Sequence, residues 1–228
     1  MYQYIIKAER EAMIMKAINL KKENTAMDYL GYALYAFGGL GLEILLMMLE
    51  SSFWGVQSGS WTITQHVIHW GITCLIWGIV GYALMKQPLL IRSKIKKTNW
   101  YMAGAIIIVS IAYTSITWNG FKPAIELYNN GIVKFIVQYI YYAVESLLIL
   151  LIIAHGQKAF EKWFKNANHF PFGALLLAMT WGMIHILTQG VATGIFTCIQ
   201  SILFGSIYLV LNKDIKYSYI AIAFMFML

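Results

Sequence analysis

The 228-residue chain is 60% hydrophobic and only 12% charged, about half the charge of an ordinary soluble domain, and its mean hydropathy is +0.64. That balance excludes a soluble or disordered chain and calls for an integral membrane protein. The excess of 17 Lys and Arg over 10 Asp and Glu could suit nucleic acid, but in a membrane chain it reports topology, and where the charges fall decides.

Residues 1–25 mix apolar and basic positions. Tyr4, Ile5, Ala8, Ala12, Met15 and Ile18 recur at helical spacing, with Lys7, Arg10, Lys16, Lys21 and Lys22 between them. This pattern predicts an amphipathic helix lying on the membrane surface, without the continuous apolar core of a cleaved signal peptide. N-terminal spans fill residues 26–134 and further helices residues 135–228, as one membrane domain. The apolar stretches place crossings at 28–49, 62–85, 100–118, 131–156, 171–189 and 193–211, each near the roughly 20 residues a bilayer core requires. The closing "KYSYIAIAFMFML" is shorter and spans poorly without tilt or neighbours. The expected fold is therefore an all-α, polytopic membrane helix bundle with about seven apolar segments. Pro88, Pro123 and Pro171 are expected in connectors, where a missing N–H costs little. Cys74 and Cys198 fall in apolar segments with no disulfide or zinc spacing.

With the N-terminus in the cytoplasm and the spans alternating, 15 of the 17 basic residues fall on the cytoplasmic side, leaving Lys122 and Lys134 outside. Cytoplasmic loops retain Lys and Arg, so the split supports both span count and orientation. A nucleic-acid partner is accordingly not expected. The short, Lys- and Ile-rich chain is compatible with a bacterial plasma membrane.

Helix rise then sets depth. Glu145, in "YYAVESLLILLIIAHGQ", lies about 18 Å inside the membrane, His185 about 21 Å and Glu43 at a similar level, with His69 near the midplane and His66 one turn away. Ionisable groups are costly in hydrocarbon and mark functional sites. A carboxylate near an imidazole in a water-holding cavity can act as general base while the imidazole orients water or a carbonyl. Two carboxylates and two histidines could instead hold zinc or iron, though no cofactor is favoured, or pass protons as in a transporter. Each residue also has a duller reading: Glu43 beside "GGLGL" as a packing partner, the His66/His69 pair as hydrogen-bond donors to backbone, Glu161 as a solvated charge, and His155 and His169 as interfacial residues.

The stretch "FGALLLAMTWGMIHILTQG" resembles the second motif of the CAAX-protease and bacteriocin-processing family of intramembrane proteases, with Trp181, Gly182 and His185 in the pattern of an aromatic four positions before a catalytic histidine. Gly205 and Tyr208 stand where that family commonly has a glycine and an aromatic. The resemblance covers residues 135–228 and implies an intramembrane hydrolase in which Glu145 activates water and His185 assists, acting on a membrane-associated peptide or protein. Supporting positions would be Glu43, His66, His69, Gln157 and Trp181. The chain departs from the pattern in three ways. Glu145 stands alone between Val144 and Ser146, with no arginine four or five positions on. Registering Gly156 on the family glycine would put the usual glutamates at Leu150 and Leu151. The final His and Asn of the family fall on Phe224 and Leu228. The loss of oxyanion donors costs about 10²–10³ in rate each, so the resemblance also admits an inactive relative that binds a membrane peptide or partner, for example in bacteriocin immunity or processing.

Overall fold

Two threonines start the first two helices. In the computed structural model, which describes residues 24–89, 94–164 and 169–228, the Thr25 hydroxyl accepts from the Asp28 N–H at 3.2 Å. The Asp28 carboxylate accepts in turn from the Thr25 N–H at 2.7 Å, opening α1 (Ala26–Trp54). Thr62 and Gln65 form the same reciprocal cap on α2 (Ile63–Met85). Such caps satisfy donors that lipid cannot, each contributing about 1 kcal/mol even in water.

The remaining elements are α3 (Lys97–Thr117), α4 (Lys122–Trp163), α5 (Phe172–Leu177), a π-helical turn (Ala178–Gly182), α6 (Met183–Gln189), α7 (Val191–Val210) and α8 (Ile215–Met227). Among the described residues six stretches are long and apolar enough to cross a bilayer, with α5, the π turn and α6 forming one of them. Among the described residues there is no strand. The chain is an all-α polytopic bundle and an integral membrane protein. The amphipathic helix expected over residues 1–25 falls almost wholly outside the described residues.

Helix α4 is the axis of the bundle. Leu148 through Ile153 are all fully buried, so this stretch is apolar on every side because every side meets protein. Helices α1, α2, α5 and α8 pack around it. The outer helices keep one face bare: Phe53 is 86% exposed and Ile79 71%, as a lipid-facing surface requires. The connectors carrying most of the described basic residues gather at one end. There Tyr29 Oη donates to Pro88 O at 2.9 Å, Asn99 Nδ2 to Val210 O at 2.7 Å and Gln157 Nε2 to Phe170 O at 2.9 Å.

Helix α4 departs from the expected span. At 42 residues a straight helix would reach about 63 Å, twice the bilayer core. It breaks at Gly131, whose φ of 68° and ψ of 168° lie in a region essentially reserved for glycine. The arm before the break folds back along the stem, so that Tyr142 Oη donates to Glu126 Oε1 at 2.8 Å; sixteen residues of straight helix would part them by about 24 Å. Pro123 therefore stands in the first turn of a helix rather than in a loop, where its missing N–H is an orphan in any case. Lys122, expected outside the membrane as a loop residue, is 6% exposed inside the bundle.

Two further expectations change. His155 is fully buried against the rings of Tyr29 and Tyr32 rather than interfacial. Glu161 is not a freely solvated charge: it receives Lys213 Nζ at 2.6 Å and Gln157 Nε2 at 2.7 Å.

Candidate functional site

Helix α4 turns one polar face inward. Gln138, Tyr141, Tyr142 and Glu145 follow each other at the i, i+3, i+4, i+7 spacing of a single helix side. They open onto a cavity of about 1110 Å³ whose wall also includes Glu43, Lys122, Trp181, His185 and Gln200. The cavity lies among α1, α2, α3, α4, the π turn, α6, α7 and α8, and most of its lining is aromatic or aliphatic, as ligand cavities generally are.

Glu145 and His185 meet through Trp181. The Trp181 indole Nε1–H donates to Glu145 Oε1 at 3.1 Å, and His185 Nδ1 lies 2.5 Å from the Trp181 carbonyl oxygen. A carbonyl can only accept, so Nδ1 carries the proton and Nε2 of the neutral ring holds a lone pair. The Trp181 and His185 rings are in edge contact, 4.8 Å between centroids. Carboxyl and imidazole thus share one cavity with Trp181 between them, its indole bonding the carboxyl and its backbone carbonyl the imidazole, without a direct hydrogen bond between the two. Glu145 Oε2 has no hydrogen-bond partner among the described residues.

The π turn makes this possible. Widening a helix by one residue per turn loosens its carbonyl ladder, and such turns recur at functional sites. Here side chains take up the carbonyls: Thr197 Oγ1 donates to Gly182 O at 3.1 Å and Cys198 Sγ lies 3.6 Å from Ala178 O. Helix α7 can come this close because Gly205 and Gly194 have no side chain. A Cβ on Gly205 would stand 2.2 Å from Ala174 Cβ.

Glu43 reaches the same cavity from α1. Its Oε1 accepts from Tyr141 Oη at 2.7 Å and lies 3.4 Å from His69 Nε2, while His69 Nδ1 is 2.5 Å from Glu50 Oε2. A neutral imidazole has one N–H, so bonding both carboxyls requires an imidazolium or a protonated acid. Because the two ring nitrogens face different carboxyls, this is a hydrogen-bonded relay rather than a chelate. Among the described residues no group of three or more His, Cys, Asp or Glu side chains is arranged to hold a metal ion. His66 is not part of the cavity wall; its ring meets Trp61 edge-on and lies tilted against Trp70. Gln157 lies at the basic end and closes the α4–α5 connector, its Oε1 accepting from Gly173 N at 3.0 Å.

Sequence reasoning missed four polar residues. Glu50 pairs with His69, and buried Lys122 and Glu126 on the folded-back arm stand with half-buried Gln138 on the stem. Lys122 Nζ donates to Phe226 O at 2.6 Å and Gln138 Nε2 to Glu126 Oε1 at 3.2 Å. Lys122 and Glu126 at i, i+4 were the available signal. A further polar clasp joins α3 to α7, where Ser110 Oγ donates to Gln200 Oε1 at 2.8 Å and Gln200 Nε2 to Thr114 Oγ1 at 2.9 Å. Compared with protein-family models, curated proteins and solved structures, the chain matches none.

Proposed function

We propose that the protein is a divergent intramembrane endopeptidase of the CAAX-protease and bacteriocin-processing type, acting on a peptide bond of a membrane-associated substrate. The observation that carries the reading is the Trp181 bridge, which holds a buried carboxyl and an imidazole of defined tautomer on the wall of one cavity. Glu145 Oε2 takes a proton from water as its oxygen bonds to the substrate carbonyl carbon. The same carboxyl then delivers that proton to the leaving nitrogen as the C–N bond breaks. His185 Nε2 orients the water from the other side. The basic end of the bundle faces the cytoplasm of a bacterial plasma membrane in this reading, following the charge distribution.

One observation favours a second reading, capture of a membrane peptide without turnover. Helix α8 gives the cavity only Met225 and Phe226, neither of which has a side-chain donor for an oxyanion, and Phe224, at the position of the family histidine, is 56% exposed and not part of the wall.

The test uses the protein reconstituted in vesicles with membrane-anchored peptides in H₂¹⁸O. Proteolysis predicts a product carrying one solvent oxygen at its new carboxyl and a loss of about 10²–10⁴-fold in Glu145→Gln. Cleavage that survives this substitution contradicts the mechanism. Binding without any product from the wild type favours capture.

A further inference from the structure

Several hydrogen-bond donors on the cavity wall are already used, whereas Glu145 Oε2 is an acceptor left over. The Trp181 N–H goes to Glu145, Tyr141 Oη to Glu43, Lys122 Nζ to Phe226 O and Gln200 Nε2 to Thr114. The threonines of α6 and α7 spend their protons on backbone carbonyls: Thr188 on Ile184 O, Thr193 on Gln189 O and Thr197 on Gly182 O. Their oxygens can then only accept. Glu145 Oε2, on a residue 7% exposed, completes the unfilled acceptors. A ligand that fills these acceptors must donate.

Charge points the same way. Four carboxyls, Glu43, Glu50, Glu126 and Glu145, stand in or against the wall. The basic groups there are Lys122, His69 and His185, with Lys134 and His66 against the wall residue Trp70. With the imidazoles neutral the four carboxyls outnumber the two lysines, a balance that favours a cationic ligand.

The wall is also built to carry an ammonium among rings. Lys122 Nζ stands 4.5 Å from the Tyr142 ring centroid, 5.0 Å from Phe226 and 5.7 Å from Trp118, within the range of cation–π attraction. Trp70, Trp77 and Trp181 extend this aromatic surface around the cavity.

We infer that the cavity recognises a primary ammonium group on an apolar segment, presented as the lysine side chain of a membrane peptide, with Glu145 Oε2 and Glu43 as its acceptors. This rests on the second reading above, capture of a membrane peptide without turnover, because an ammonium on Glu145 Oε2 occupies the oxygen that proteolysis would use as base. An ammonium has three donors and no acceptor, complementary to what the wall leaves unfilled.

The test measures energy transfer from protein tryptophans to a dansyl-labelled apolar peptide in nanodiscs, with a single central lysine or the uncharged, similarly shaped norleucine. The lysine peptide should bind about tenfold or more tightly, as expected when a charge-assisted hydrogen bond is gained. Glu145→Gln and, separately, Glu43→Gln should each reduce that preference, with folding checked by circular dichroism melting. Should Glu145→Gln fail to fold, Glu43→Gln decides alone. Dodecylammonium should compete with the lysine peptide. Equal binding of the two peptides, or a preference unchanged in the folded carboxyl variants, overturns the inference. So does dodecylammonium binding without lysine-peptide binding, which would make a lipid-like amine the ligand. The assay reads selectivity and not turnover. Absent cleavage with a retained lysine preference therefore counts only against proteolysis, and cleavage without the preference counts only against the inference.

Discussion

Trp181 donates its indole proton to Glu145 Oε1 at 3.1 Å, joining the middle of α4 to the π turn beside α6. Both residues are buried, at 3% and 7% exposure, so the bond is made where water cannot replace it fully. Trp181→Phe keeps most of the ring and removes the donor. It should lower stability by about 1.5–3 kcal/mol, the range for a hydrogen bond to a charged group, or by about 1 kcal/mol if the acid is protonated. Unfolding of the detergent-solubilised protein, followed by circular dichroism, measures the loss, and no change would mean the bond contributes nothing.

The reversal of α4 rests on Gly131. Gly131→Ala must hold a Cβ at φ 68° and ψ 168°, at a cost of about 1–3 kcal/mol. Open space surrounds that Cβ, so the penalty is conformational and not steric. Melting temperature should fall with Ala and further with Val, whose branched side chain is more restricted. Equal stability for all three would show that the arm is not held by this turn.

Close approach of α5 and α7 predicts a different response. An Ala at Gly205 would place its Cβ 2.2 Å from Ala174 Cβ and 2.8 Å from Ala174 N, and overpacking of this kind costs about 1–3 kcal/mol. Gly104→Ala meets nothing within 4 Å and should be neutral or slightly stabilising. The difference between these substitutions in thermal unfolding isolates packing from helix propensity.

Lys122 supplies a fourth test. It has Glu126 and Glu145 as charged neighbours and is 6% exposed. Lys122→Met should destabilise by about 1.5–3 kcal/mol, because the Phe226 carbonyl loses a charged donor and Glu126 and Glu145 lose a cationic neighbour. Adding Glu126→Gln should recover part of that loss. A double-mutant cycle measures the coupling, and strict additivity would show that these two residues do not interact.

The spans could be read from the chain because a bilayer demands long apolar runs and confines Lys and Arg to their ends. Trp181 and His185 were readable for a similar reason: one helix and four positions leave little freedom in their relation. The folded-back arm was not. "KPAIELYNNG" combines a proline, two asparagines and a glycine, features of a loop, and the buried role of Lys122 and Glu126 appears only once Gly131 reverses the chain. Glu50 was hidden differently. It lies five residues before Gly55, while His69 lies seven after Thr62, so both stand at similar depth beside the α1–α2 connector. Only the hairpin makes that match apparent. Gln157 illustrates the opposite error, since its place beside Gly156 suggested the site but helix direction carries it to the basic end.

The central claim is that the heads of residues 145 and 185 open onto one cavity, and thiol cross-linking tests it most directly. In a background with Cys74 and Cys198 replaced by serine, the double variant E145C/H185C should react with a short bifunctional thiol reagent to give an intramolecular bridge, detected by mass. A pair combining E145C with the lipid-facing L49C should give none. Bridging of the control pair alone, or separate labelling of 145 and 185 without any bridge, would contradict the shared cavity and the chemistry assigned to it.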